Sequence, residues 1–416
     1  MAVLRREGVG EIAPFMVMVI MEACTIALTI LAKTAITGGM SPFVFVVYTN
    51  AVGSLLLLPF SFLFHRERWL PGCLQLQLQL QFSLSFLFCV PSLPFLYLLF
   101  LCYCRTDQSL FTFPLLVRIF LLGLTGIAIS QNLAFLGLSY SSPIVVCATG
   151  LLIPSISFLL SILLRTTNPD LSSSTGSRAK VIGTLVSIIG AIVVELYKGP
   201  FIRKSLFFFG NDHYQLKHVS KLFVFYSAPD RWILGGVLLM AASLSVSLWN
   251  IIQLGTVKLY PQVMKVASFY SLIGTIQCLV FSLCVERDLN AWKLKHKQEL
   301  LLVVLTGVFG SIIRSNVHLA CTRMKGPLYV PMFKPFGIVF ATVFGVSFFT
   351  NSLHYGSVIG TLIIGMGYYT VMWGQIKEEE EEEEEEQQQL RKECDVERMD
   401  PQTPLLPEKE EAQAVV

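Results

Sequence analysis

Long apolar runs dominate the pattern of hydrophobic and polar positions along this chain. A helix needs about 20 apolar residues to cross some 30 Å of hydrocarbon. Runs close to that length can be read at 14–32, 42–64, 114–136, 143–164, 180–197, 232–254, 263–285, 300–321, 328–349 and 355–376. A bilayer offers backbone N–H and C=O groups no partners, so each run must close its hydrogen bonds internally as a helix. The pattern predicts an all-α integral membrane protein with ten transmembrane helices.

The runs repeat. Val181-Ile182-Gly183-Thr184-Leu185 recurs unchanged as Val358-Ile359-Gly360-Thr361-Leu362, and Gly190 and Gly367 stand seven residues after the first glycine of each copy. Gly123, Gly126, Asn132 and Pro143 match Gly307, Gly310, Asn316 and Pro327 at one offset of 184 residues. Two inverted repeats of five helices are the expected architecture, and a duplicated set of apolar helices is the sequence mark of a secondary transporter with its site between the halves.

Composition agrees with a bilayer. Only 14% of the 416 residues are charged, against about 25% in soluble domains, and the mean hydropathy is +0.64. The net charge is a small +3, and the basic residues sit at helix ends, so no basic stripe exists for nucleic acid. The first run follows Arg5 and Arg6 and is long, without a clean small-residue cleavage site, so it reads as a retained anchor. With residues 1–12 in the cytosol, ten crossings put 65–68, 165–180, Lys258, Arg323 and Lys325 on the same side, as the positive-inside rule asks. The second half departs from the rule, because Lys293, Lys295, Lys297 and the basic loop 198–231 then fall outside. Ten cysteines show no regular spacing and read as core packing, with neither a disulfide framework nor a metal site.

Two segments differ from the rest. Gly53 and Arg66 pair with Gly274 and Arg287 at an offset of 221, not 184, so the first repeat holds extra residues, assigned to 69–105. That stretch opens on a Leu-Gln alternation, and Pro91 and Pro94 interrupt it. Three readings stay open: an eleventh span, a re-entrant or surface-lying element, or a gene-model artefact. Beyond 377 the chain becomes a different polymer. Glu378 to Glu386 are nine consecutive glutamates, which repel one another and cannot build a core, so 377–416 is expected to be a disordered acidic cytosolic tail. Thr403-Pro404-Leu405-Leu406 loosely resembles a dileucine sorting signal. The first repeat is thus assigned to 13–200, a non-cytosolic loop to 201–230 and the second repeat to 231–376.

Leu196-Tyr197-Lys198-Gly199-Pro200, Ser130-Gln131-Asn132-Leu133, Lys325-Gly326-Pro327 with Met332-Phe333-Lys334-Pro335, and Val371-Met372-Trp373-Gly374 together resemble plant transporters of the Walls Are Thin-related group. These carry two EamA-type repeats and belong to the drug/metabolite transporter superfamily. The resemblance covers about 13–68, 106–200 and 231–377. It implies export or bidirectional movement of amino acids, auxin or related metabolites across the plasma membrane or tonoplast. The chain departs from the group at Glu195, where a small or hydroxyl residue is usual, and at Asn351-Ser352, where an acidic residue is usual.

An ionisable side chain inside a span is costly unless it faces a wet cavity or a partner. Glu22, mid-way along the first helix, is therefore the leading candidate, with a structural pairing to Arg314 or a hydroxyl as the alternative. Gln131, Asn132 and Asn316 carry amides that can hold a carboxylate and an ammonium together, or serve as interhelical glue; Asn250 is a further member. Arg314 could bind a substrate carboxylate or neutralise Glu22. Lys334 lies beside Pro335, where a broken turn frees carbonyls, and also reads as an interfacial lysine. Pro154 and Pro335 are hinge candidates, and Gly123, Gly126, Gly307 and Gly310 are expected to let helices pack closely.

No nucleotide-binding loop, H-E-x-x-H or Ser/His/Asp set is present, so an enzyme and a cofactor are not expected. The reading is a secondary transporter working by alternating access, with the lipid bilayer and a small-molecule substrate as its partners. Proton coupling and homo-oligomerisation are left open, and a non-transporting receptor or scaffold docking through its acidic tail is the alternative.

Overall fold

The computed structural model describes residues 2–63, 113–164, 175–196, 231–260, 263–294, 297–326, 328–348 and 355–399. Every regular element among them is helical. In chain order, α1 is Ala2–Thr37, α2 Pro42–Leu63, α3 Phe113–Tyr140, α4 Pro143–Leu163, α5 Thr175–Leu196, α6 Trp232–Leu259, α7 Val263–Val285, α8 Lys297–Lys325, α9 Pro331–Phe348 and α10 Tyr355–Met399. Eight helices among the described residues are long and apolar enough to cross a membrane; Pro42–Leu58 and Pro331–Gly345 are apolar but shorter. Segment 69–105, the 201–230 loop, Pro327 and Asn351-Ser352 lie outside the described residues, as does the side chain of Glu195.

Glycine explains the repeated pentapeptide. A Cβ on Gly183 would lie 2.8 Å from the Gly367 carbonyl oxygen, and one on Gly190 would lie 3.0 Å from that of Gly360. At the cytosol-assigned end, Gly176 and Gly374 meet in the same way, each Cβ 2.7 Å from the other's carbonyl oxygen. The partners run in opposite order along α5 and α10, so the two helices are antiparallel and pack backbone to backbone. This is the most extensive helix pairing among the described residues, and small residues are what permit so close an approach in a membrane. Lys180 of α5 closes the end of the seam by donating to Glu378 of α10.

The other contacts follow the inverted repeat. α7 packs on α2, α3 packs on α7 as α8 does on α2, and α1 packs on α9 as α6 does on α4. The symmetry is incomplete: α6 runs along α3 whereas α1 meets α8 at few places, and the α2–α3 and α4–α10 contacts have no counterparts of similar extent between α7 and α8 or between α5 and α9 among the described residues.

α3 and α8 each contain a π turn, Leu124–Ile129 and Phe309–Arg314, at matching places in the two repeats. A π turn skips one carbonyl of the α ladder, and nearby polar side chains turn back to such acceptors. Asn132 Nδ2 donates to the Ala128 carbonyl at 2.7 Å and Asn316 Nδ2 to that of Ile312 at 2.8 Å. Gly326, at φ 95°, ends α8, a backbone conformation that glycine adopts without strain. Both prolines proposed as hinges sit at helix interruptions. α4 breaks at Leu152, two residues before Pro154, and α9 breaks between Phe333 and Phe336, around Pro335.

The acidic tail differs from its sequence expectation over 377–399, where α10 continues as helix as far as Met399. A membrane-anchored helix has already met its nucleation cost, glutamate and glutamine are good helix formers, and Lys377 bridges to Glu380 at 2.6 Å. Residues 400–416, including the dileucine-like stretch, are outside the described residues.

Candidate functional site

The site is built where α1 packs on α9. Glu22 is 4% exposed, and its Oε1 accepts a hydrogen bond from Lys334 Nζ at 3.0 Å. The Lys334 side chain, 40% exposed, reaches inward to this buried carboxylate, so the hydrogen-bonded partner of Glu22 is Lys334 rather than Arg314. Pro335 shapes the surroundings. Having no N–H, it cannot give the Pro331 carbonyl an i+4 donor; that carbonyl accepts instead from the Lys334 N–H at 3.0 Å and from the Tyr368 hydroxyl of α10 at 2.6 Å. The opposite face of the carboxylate lies over Gly337, whose added Cβ would stand 3.7 Å from Glu22 Oε2. Cys147 of α4 reaches the same place, its Sγ 3.8 Å from the Gly337 carbonyl and within electrostatic range of both Glu22 and Lys334.

Arg314 ends the π turn of α8 within electrostatic range of Glu22 and of Tyr270 on α7. It is half-buried, and among the described residues no carboxylate lies within 4.0 Å of it. His318, one turn further along α8, senses both Arg314 and Lys334, and its Nε2 is buried without a hydrogen-bond partner. The arrangement therefore holds two basic side chains and one carboxylate, with a net formal charge of one positive unit.

The repeat makes this charge informative. At the offset that pairs Gly53 with Gly274, Glu22 corresponds to Ser243, whose hydroxyl donates to the Thr149 carbonyl of α4 at 2.9 Å. One half of the molecule closes this helix contact with a neutral hydroxyl, and the other half places an ion pair there.

The remaining sequence candidates lie elsewhere. Asn132 and Asn316 are 2% and 3% exposed and bonded to their own helices. Asn132 also reaches Cys278 Sγ of α7 at 3.2 Å, and the Oδ1 of each amide is buried without a partner. In this arrangement they serve the π turns and do not join the Glu22 cluster. Gln131 accepts from Asn50 of α2 at 2.6 Å. Asn250 is half-buried and makes no hydrogen bond among the described residues. Three of the four glycines pack tightly: Gly123 on Gly274, Gly126 on Trp249 and Gly307 on Thr49 and Val52. Gly310 does not, since an added Cβ there meets nothing within 4 Å.

Two polar residues of the same kind were missed. Asn50, in the middle of an apolar run, carries the same signal as Asn132. Lys33 of α1, 5% exposed, donates to the Leu138 and Ser139 carbonyls at 2.8 and 2.7 Å and so caps the end of α3. Its place at the edge of an apolar run made it look like a helix flank.

A multi-pass, all-helical membrane protein with a charged cluster around a buried carboxylate between inverted repeats is the class that this geometry defines. No protein-family model matches the chain. A WAT1-related protein of Arabidopsis thaliana is 59% identical over 368 residues, covering 88% of each chain. A second from the same plant is 53% identical over 367 residues with the same coverage, and a third is 35% identical over 370. The chain belongs to the WAT1-related family, and with it to the membrane transporters of the drug/metabolite superfamily.

Proposed function

We propose that the chain carries small carboxylate-bearing metabolites, such as amino acids or auxin, across the plasma membrane or tonoplast by alternating access of its two repeats. The carrying observation is Arg314. An arginine at the centre of a span costs about 2.5–3.5 kcal/mol on insertion scales, and here no carboxylate within 4.0 Å among the described residues offsets that cost. A substrate carboxylate would do so and would bring the charge of the Glu22, Lys334 and Arg314 group to zero. It would also compete with Glu22 for Lys334, and a displaced Glu22 could then take up a proton, which gives the carrier a route to proton coupling.

Ten crossings with both ends in the cytosol complete the proposal. The α5–α10 seam acts as the fixed axis, and the interruptions at Leu152 and around Pro335 let the flanking helices rock. Efflux of radiolabelled amino acids and auxin from oocytes, measured beside surface abundance, tests the reading. Wild type should export at least one of them above background, and Arg314→Gln at equal abundance should lose about tenfold, the worth of one charge-assisted hydrogen bond. Wild-type flux in Arg314→Gln, or no flux of any carboxylate in the wild type, would overturn it.

A further inference from the structure

The two repeats differ beside the charged cluster. In the first repeat, the space in front of Gly126 is filled by the indole of Trp249 on α6, with Nε1 2.6 Å from the place a Cβ would take. Gly310 is the repeat partner of Gly126, and the space in front of it is empty to 4 Å. The residue of α1 that corresponds to Trp249, at the offset pairing Gly53 with Gly274, is Leu28, a much smaller side chain. The neighbours of Gly310 show which way it faces. Phe309 and Ile313 pack with Met18 and Met21 of α1, and α1 meets α8 at few places while α6 runs along α3. The crevice therefore opens between α1 and α8. Arg314 lies one helical turn from Gly310, about 6 Å along the axis.

We propose that this crevice is the subsite for a planar, ring-sized apolar group of the substrate, and that Gly310 and Leu28 determine which substrates it admits. The inference rests on the carboxylate reading of Arg314 for the substrate's other end. The molecule supplies its own measure of the occupant, because the equivalent space in the other repeat takes an indole ring. Glycine at 310 keeps the wall flat, which suits the face of a ring. Apolar surface enters the crevice while the carboxylate meets Arg314, so charge sets the orientation and the crevice sets the size.

A matched pair of ligands tests this without requiring transport. Phenylacetate and acetate share a carboxylate and differ by a ring, and their affinity for the purified full chain can be read from ligand-induced thermal stabilisation. Wild type should bind phenylacetate at least about tenfold more tightly than acetate, as burial of a ring's apolar surface implies. Gly310→Leu and Leu28→Trp, which fill the crevice from opposite sides, should each bring the two affinities to within about threefold while acetate binding persists. Gly310→Ala adds one carbon into open space, should fold as wild type, and should show an intermediate preference if the larger variants do not fold. Equal affinities in the wild type, or a preference unchanged in Gly310→Ala and in both filling variants, would overturn the subsite. If the ring preference is present and Gly310-dependent but flux is absent, the subsite stands and the transport reading falls.

Discussion

Gly183 and Gly367 face one another across the α5–α10 seam so closely that a Cβ on the first would sit 2.8 Å from the carbonyl oxygen of the second, and a Cβ on the second 2.7 Å from that of the first. No side chain can yield there, since both obstacles are backbone. Each glycine belongs to one of the two repeats, so the contact and its symmetry mate, Gly190 with Gly360, hold the halves together. The repetition visible along the sequence is thus the imprint of an interface between the copies.

Substitution along this seam should damage the fold before it damages anything else. Gly183→Val and Gly367→Val should each cost about 1–3 kcal/mol, the usual range for overpacking, read as a lowered melting temperature of the detergent-solubilised protein. Gly310→Ala should leave it unchanged, because the added carbon meets no atom within 4 Å. Equal losses at the three positions would show that the seam is no tighter than an ordinary helix contact.

The Glu22–Lys334 pair should behave as a unit. With Lys334→Gln, Glu22 keeps its charge at 4% exposure without its bonded cation; because the Lys334 side chain is itself 40% exposed, the loss should fall between the roughly 0–1 kcal/mol of a surface pair and the about 3–5 kcal/mol of breaking a fully buried one. Glu22→Gln removes the charge and keeps the shape. It should therefore abolish any pH response of flux, and added to Lys334→Gln it should recover most of the lost stability. A double-mutant cycle on thermal stability, run beside flux at two pH values, decides the matter. Additive losses, or a wild-type pH response in Glu22→Gln, would separate the carboxylate from transport.

Asn316 offers the opposite case. Its amide donates to the Ile312 carbonyl within the same helix, a contact expected to be worth no more than the roughly 0.6 kcal/mol that bonds between membrane helices average. Asn316→Leu should lower stability slightly and leave relative substrate preference intact, and Asn132→Leu should do the same. A changed preference at wild-type abundance would return these amides to the cavity, one of the two roles that their sequence pattern leaves open.

What could be read from the sequence divides by range. Each span is announced by its own composition, and the runs at 42–64, 143–164 and 263–285 fall within a residue of the helices Pro42–Leu63, Pro143–Leu163 and Val263–Val285. Glu22, Arg314 and Lys334 stand out because an ionisable residue in an apolar run is rare whatever surrounds it. Which of the two cations holds the carboxylate depends on α1 lying against α9 rather than α8, a tertiary choice that no local pattern encodes. The π turns are equally silent: each is a change of hydrogen-bond register within an apolar helix. Their signal was present only as paired amides at Asn132 and Asn316, which also fit a binding site. The helical start of the tail was missed because charge repulsion was weighed against an isolated segment, while Glu378 in fact extends a helix already anchored in the bilayer.

That anchoring makes a prediction about length. Lys180 is 8% exposed and bonds Glu378, with its Nζ also 5.4 Å from the centroid of the Phe158 ring on α4, so α4, α5 and α10 meet at this end. Lys377 and Glu380 are a surface pair, 42% and 54% exposed. A chain ending at Glu381 keeps both contacts and should match the full chain in abundance and melting temperature. One ending at Lys377 removes one carboxylate acceptor of a buried ammonium and should be less stable, by more than the roughly 0–1 kcal/mol of an exposed pair. Adding Lys180→Met to that shorter chain should restore part of the loss, because no charge then remains buried without its acidic partner. If both truncations matched the full chain, the lysine would be satisfied without α10, and the end of the seam would be held by glycine packing alone.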